Sequence, residues 1–268
     1  MGLAWSIFGL WFCLALVMTA AWAVVLRTGN SGWVDVIWSF ATGLAGVAAA
    51  LWPVSNLEVL WARQVIVALL AAIWCFRLGL HIAQRTAKGG DDPRYAELRK
   101  QWGEQYRSKL FWFLQIQALA AFLLALCIGI ADHNPAPALG FGDWLGLAVM
   151  VVAIVGEAVS DRQLAAFRNN PANKGKICDA GLWGVSRHPN YFFEWLGWCA
   201  YVLIAIDLTG GYPWGFLTLA APVFMYCLLV HVSGIPPLEE HMLRSRGEAF
   251  KHYQSRVRAF WPIPTAKT

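Results

Sequence analysis

One stretch gathers residues able to do chemistry. Asp161-Arg162-Gln163-Leu164-Ala165-Ala166-Phe167-Arg168 is followed by Gly181-Leu182-Trp183-Gly184 and then Ser186-Arg187-His188-Pro189-Asn190-Tyr191, with Glu194 just beyond. Two carboxylates, several cations and an amide thus surround one loop between apolar segments, and charged groups at a membrane span mark function by default. Pro189 fits the first turn of a helix, where its missing N–H costs nothing. A helix starting near His188 would aim free N–H groups and the positive end of its dipole at an anion in the loop. Asn190 and Glu194 are four apart, so they share one helical face, about 6 Å apart along the axis. Glu157, Asp161, Leu164 and Arg168 also share one face. That row is either a set of intrahelical ion pairs at the membrane surface or a ligand site, in which carboxylates suit ribose hydroxyls and Arg suits phosphate. No G-x-G-x-x-G or G-x-x-x-x-G-K-[ST] occurs, so neither a Rossmann unit nor a P-loop is on offer.

The elements that hold these groups are membrane spans. Of 268 residues, 58% are hydrophobic and only 14% charged, where a soluble domain carries roughly a quarter charged. Seven apolar runs have the length of a crossing, about 20 residues: Leu3–Leu26, Trp33–Leu51, Val59–Leu80, Leu110–Ile130, Phe141–Val159, Tyr191–Leu208 and Pro213–Val232. The expectation is an all-α polytopic membrane bundle of about seven transmembrane helices, a single domain over 1–268. The stretch from Ile235 to Pro262 is too polar to span and reads as an amphipathic tail on the membrane surface. Six cysteines lie scattered without a C-x-x-C pair and read as small buried side chains. The N-terminal apolar run has no basic region before it, so it is a first span rather than a signal peptide.

Charge sets the topology. The third loop holds Arg85, Lys88, Arg94, Arg99, Lys100, Arg107 and Lys109, and the fifth holds Arg162, Arg168, Lys174, Lys176 and Arg187. The tail is also basic, whereas the second, fourth and sixth loops lack Lys and Arg. The positive-inside rule puts the basic loops and the C-terminus in the cytoplasm and the N-terminus outside, in a bacterial inner membrane. Topology accounts for the net charge of +5 without a nucleic-acid partner. The polar residues then cluster at cytoplasmic ends: Asp35, Arg77, His81, Gln115, Gln117, Glu157, Asp161, Asn190, Glu194 and His231. One cavity open to the cytoplasm accounts for them all. Arg63, Asp132 and Asp207 lie at outer ends, where a charged head reaches water.

Several residues carry two readings. His188, His231 and His241 lack a metal-binding spacing, so no metal is expected. His81 is a capped helix-end histidine or a ligand contact. Asp35 is a helix-dipole charge or a carboxylate at the mouth of span two. Most Trp residues form the interfacial belt, but Trp74 and Trp198 lie within reach of a polar row on their own helices. Glu194 needs a partner at its depth, either a ligand carboxamide or Arg77 across the bundle.

Gly181-Leu182-Trp183-Gly184 followed by Ser186-Arg187-His188-Pro189-Asn190-Tyr191 and Glu194 resembles the C-terminal signature of the membrane steroid 5α-reductase family, closest to its uncharacterised bacterial branch. The sterol double-bond reductases share a similar R-H-P-N-Y box. The likeness extends to Asp35-x-x-Trp38, Arg77 to Arg85, Asp92-Pro93-Arg94-Tyr95, Gln115 and the segment from Gly156 to Arg168. It implies a seven-span enzyme that uses NADPH to reduce an activated C=C bond. Asp161, Arg168, Asn190 and Glu194 match cofactor-binding positions. Arg77, His81, Arg85, Glu157, Arg187, His188 and Tyr191 are placed around the same cofactor. Asp35 and Trp74 stand where the steroid enzymes carry a catalytic Glu and Tyr, and Asp35, protonated by burial, is the expected acid.

Three functions follow. The first is NADPH-dependent reduction of an apolar steroid- or lipid-like substrate that diffuses in from the bilayer. An alternative is an S-adenosylmethionine-dependent methyltransferase of the isoprenylcysteine or phospholipid type, which also carries R-H-P-x-Y and a later Glu. A further alternative is a non-enzymatic lipid-binding membrane protein.

Overall fold

The computed structural model describes residues 3–53, 60–89 and 92–264. Its helices are α1 (Leu3–Thr28), α2 (Gly32–Ala50), α3 (Trp61–Lys88), α4 (Pro93–Trp102), α5 (Tyr106–Asp132), α6 (Phe141–Asn169), α7 (Pro189–Ala205), α8 (Ala220–Tyr226), α9 (Ile235–Arg246) and α10 (Glu248–Arg256). No β-strand occurs among the described residues. Among the described residues, six helical stretches are long and apolar enough to cross a membrane: Leu3–Thr28, Gly32–Ala50, Trp61–Lys88, Arg94–Asp132, Phe141–Asn169 and Pro213–Arg246. The protein is an all-α, polytopic integral membrane protein.

The expected span over Tyr191–Leu208 is shorter than its apolar run. Helix α7 has 17 residues, roughly 26 Å of rise. It stops because Asp207 supplies an alternative: its carboxylate accepts the N–H groups of Thr209 at 2.9 Å and Gly211 at 3.0 Å. Val59, where the third run was expected to begin, lies outside the described residues, and α3 starts at Trp61. The final long stretch is irregular, with a 3-10 segment at Pro213–Leu219, then α8, then a π-helical turn at Cys227–Val232. Its apolar part ends at Gly234, where a Cβ would meet the Leu229 backbone. Beyond the break, α9 starts with prolines in its first turn, as an N-terminus allows. It and α10 are polar in composition, so the apolar window of the Pro213–Arg246 stretch lies before the break.

The chain forms two compact units. The first comprises Met1–Asp143 and Ile204–Thr218. In it α2 packs against α1, α3 and α5. Small residues permit the approach: a Cβ on Gly79 would lie 2.6 Å from the Phe40 ring, and one on Gly46 would collide with Ile128. Glycine at a crossing lets helix backbones come close, which is how spans associate where lipid is as apolar as the side chains. The core joins Leu14, Met18 and Ala21 of α1 to Leu110, Leu114, Ala118 and Ala121 of α5.

Where α2 and α5 end and α3 begins, the first unit buries a polar cluster. Arg63 and Asp132, expected to reach water, are 1% and 0% exposed. Arg63 donates all five N–H groups. Two go to the Asp143 carboxylate at 2.7 and 3.0 Å, and three to the carbonyls of Asn134, Ala136 and Ala138 at 2.7, 3.0 and 3.0 Å. Asp132 accepts from His133 Nδ1 at 2.9 Å. The other donors cap helix ends, each of which leaves carbonyls without intrahelical partners. Gln64 donates to Ala50 O at 3.1 Å, Tyr212 to Ile130 O at 3.0 Å, and Asn134 to Ile204 O at 3.1 Å. Buried polar groups are therefore not confined to the ends where sequence placed them.

The second unit comprises Trp144–Leu203 and Leu219–Thr268. Its α6 and α7 meet at Gly156, where an added Cβ would lie 2.6 Å from Phe193 Cζ, and at Gly197, over Met150 and Ala153. Trp195 donates to Pro222 O at 3.1 Å. Phe192, Trp195, Tyr226, Phe260 and Trp261 stack edge-on around that bond.

Candidate functional site

The second unit brings together Glu157, Asp161, Arg168, Arg187, His188, Asn190, Tyr191 and Glu194. Asp35, Trp74, Arg77, His81 and Arg85 belong to the first.

The loop entering α7 is built by local rules. Gly181 takes a positive φ of 62° with the Gln163 carboxamide beneath it, so a side chain there would be both strained and obstructed. Gln163 Oε1 accepts the Leu182 N–H at 3.0 Å, and Trp183 Nε1 donates to Ser160 O at 2.9 Å. These bonds fasten the Gly181–Gly184 turn to α6. The far side of the loop is held by the tail. Ser186 Oγ donates to Phe260 O at 2.9 Å, the backbone N–H groups of Arg187 and His188 donate to Arg258 O and Ala259 O, and the Tyr253 hydroxyl donates to Trp183 O.

Arg187, expected beside the cofactor, is engaged by that same tail. Its Nε and one terminal nitrogen donate to Glu239 at 2.7 and 3.1 Å, and the other terminal nitrogen donates to Gln254 O and Val257 O. His188 Nε2 lies 3.0 Å from the same Glu239 carboxylate, and its ring stacks on Tyr191 with centroids 5.5 Å apart. Burial alone would raise the pKa of Glu239, but hydrogen bonds from His188, Arg187 and Gln254 bring it down to about 2. Burial lowers that of His188 below its ordinary value, against the pull of Glu239.

Helix α7 starts at Pro189, as the sequence predicts. Asn190 Oδ1 is buried, and no described residue donates to it. Glu194 is 7% exposed and accepts from Trp198 Nε1 at 3.0 Å. Trp198 itself is 1% exposed. Glu157 and Glu194 directly follow Gly156 and Phe193, so both buried carboxylates branch from the level of that α6–α7 contact. Asp161 and Arg168 continue along the unbroken α6, Asp161 half-buried and Arg168 exposed. A shallow, open apolar groove runs along the surface of this unit between Val151 and Leu182, past Val155, Val159 and Phe193.

In the first unit, Asp35 is about a quarter exposed. It accepts from Arg94 and, at 3.4 Å, from the Tyr95 hydroxyl. Arg94 also holds Asp92 at 3.0 Å, and Asp92 caps α4 by accepting the Arg94 N–H. Trp74 is buried on α3, Arg77 half-buried, and His81 and Arg85 exposed on the following turns. Among the described residues, no three His, Cys, Asp or Glu lie close enough to share a metal ion.

Sequence reasoning missed Glu239, Gln163 and Tyr253. A half-buried loop cation such as Arg187 requires a carboxylate, which was the available signal. Its partner lies 52 residues away, so no spacing rule points to it.

The fold and site define an integral membrane protein whose last apolar helices carry a buried acceptor row below a strapped loop. The chain belongs to the family described as protein of unknown function (DUF1295), whose sequence profile matches residues 21–257. It is 26% identical over 267 residues to an uncharacterized protein of Schizosaccharomyces pombe, covering 90% of this chain and 75% of that one. It is 32% identical over 89 residues to the probable O-methyltransferase ustE of Ustilaginoidea virens, covering 31% of each. No solved structure matches.

Proposed function

We propose that this protein is a membrane-embedded methyltransferase that binds S-adenosylmethionine beside the acceptor row of α7 and methylates an apolar substrate drawn from the bilayer. The observation that carries this reading is the engagement of Arg187. Arg187, a cation of the loop entering α7, is bound by Glu239 and two carbonyls. What α7 presents is acceptors: the unpartnered Asn190 Oδ1 and the Glu194 carboxylate. Such a face suits a cofactor that is cationic, rich in N–H and O–H donors and free of phosphate. The partial likeness to a probable O-methyltransferase supports the same reading.

The chemistry supplied by the bound cofactor is transfer of a methyl group, in which an acceptor lone pair forms the new bond and the C–S pair stays with sulfur. This chain's residues would bind and orient: Asn190 would accept from ribose or amine, Glu194 would face positive charge, and the open apolar groove along α6 would receive the apolar substrate. The rival reading is NADPH-dependent reduction, the chemistry of the steroid 5α-reductases that the loop resembles. The row from Asp161 to the exposed Arg168 favours it, because Arg168 presents a cation to the surface. Native mass spectrometry of the detergent-purified protein tests the choice. An adduct with the mass of adenosylmethionine or its demethylated product is expected, and co-purified NADPH or NADP would overturn the proposal.

A further inference from the structure

The geometry points to Trp198 as a positioning residue that fixes Glu194 for cofactor binding, an inference resting on the methyltransferase reading above. Asn190, Glu194 and Trp198 succeed one another at intervals of four on α7 and so form one row. The indole has a single donor and no acceptor. That donor reaches Glu194 Oε1 at 3.0 Å, with both side chains buried. The indole cannot swing away, because it is 1% exposed and its ring lies 5.7 Å from that of Tyr201, itself 2% exposed. The acceptor oxygen is thereby held by a rigid body.

A glutamate side chain ordered only when ligand arrives loses rotamer freedom at that moment, and one already ordered does not. A merely structural role for this bond would show in the stability of the free protein alone. A positioning role shows in cofactor affinity.

The test compares wild type, Trp198→Phe, which removes the donor while keeping an aromatic ring, and Trp198→His, which retains an N–H on a smaller ring. Adenosylmethionine and NADPH are each titrated against each protein, with thermal melts of the free forms. Trp198→Phe is expected to weaken adenosylmethionine binding about tenfold and to lower the melting temperature as well, because a buried carboxylate oxygen loses its donor. Trp198→His should recover most of the affinity, and it carries the test if the Phe variant does not fold. Unchanged affinity in the Phe variant, or a lowered melting temperature with unchanged affinity, would overturn the positioning role while leaving the methyltransferase reading intact. Wild type that binds NADPH and not adenosylmethionine would overturn that reading. The tenfold loss would then be sought with NADPH, and its absence there would sink the positioning role too.

Discussion

Arg187 and Glu239 close on each other as a fork, with two parallel N–H···O bonds of 2.7 and 3.1 Å between residues 52 positions apart. Both side chains are nearly buried, at 10% and 13% exposed. Removing one member of such a pair leaves an uncompensated charge and costs roughly 3–5 kcal/mol. Glu239→Ala should therefore lower the melting temperature and open the tail to trypsin near Arg244 and Arg256. Replacing both partners, as Arg187→Met with Glu239→Leu, should recover much of the loss. Equal destabilisation by the single and double variants would show that the fork is not what holds the tail.

Acid should loosen the same junction. Glu239 sits at about 2 in the folded protein against an ordinary 4.5. Its stabilisation is thus complete above pH 4.5 and is lost as pH falls toward 2, about 3 kcal/mol in all. His188 also has a lowered folded value, so its contribution is present above its ordinary 6.5 and declines as pH falls below that. Both act in one direction. Melting temperature should fall on acidification from pH 7, and Glu239→Gln should flatten the lower part of the curve.

Gly156 of α6 packs directly against the Phe193 ring of α7. Gly156→Ala places a methyl against the Phe193 ring, and overpacking of this kind costs about 1–3 kcal/mol. Phe193→Leu in the same chain should relieve it. A Gly156→Ala protein as stable as wild type, measured by thermal melting in detergent, would show that the helices part without penalty.

The buried Arg63 gives a fourth expectation. Asp143→Asn removes the charge facing a guanidinium that is 1% exposed and should cost roughly 3–5 kcal/mol. Asp207→Asn, on an exposed turn, should cost far less. Comparable losses from the two would mean that burial does not govern the Arg63 site.

The long apolar runs made the helical membrane fold legible, because a span advertises itself within twenty consecutive residues. The start of α7 was legible for a similar reason, since Pro189 marks a first turn locally. The depth of Arg63 was not. Its five acceptors lie 71 to 80 residues away, and a lone Arg near a span end reads the same whether it faces water or a cage of carbonyls. Asp132 had a local clue in the adjacent His133, but its burial depends on packing. In the site, the four-residue step from Asn190 to Glu194 and on to Trp198 was readable as a face. That Glu239 would engage Arg187 was not, because the sequence of α9 is that of any amphipathic helix.

The strap over the loop has a consequence in time. Trp183 and Ser186 receive their tail partners from Tyr253 and Phe260, at separations of 70 and 74 residues. During synthesis the loop and α7 therefore emerge well before the segment that locks them exists. Until then Arg187 has no carboxylate fork and the loop lacks its second wall, so a ribosome halted anywhere before Val257 leaves an inserted protein without a finished site.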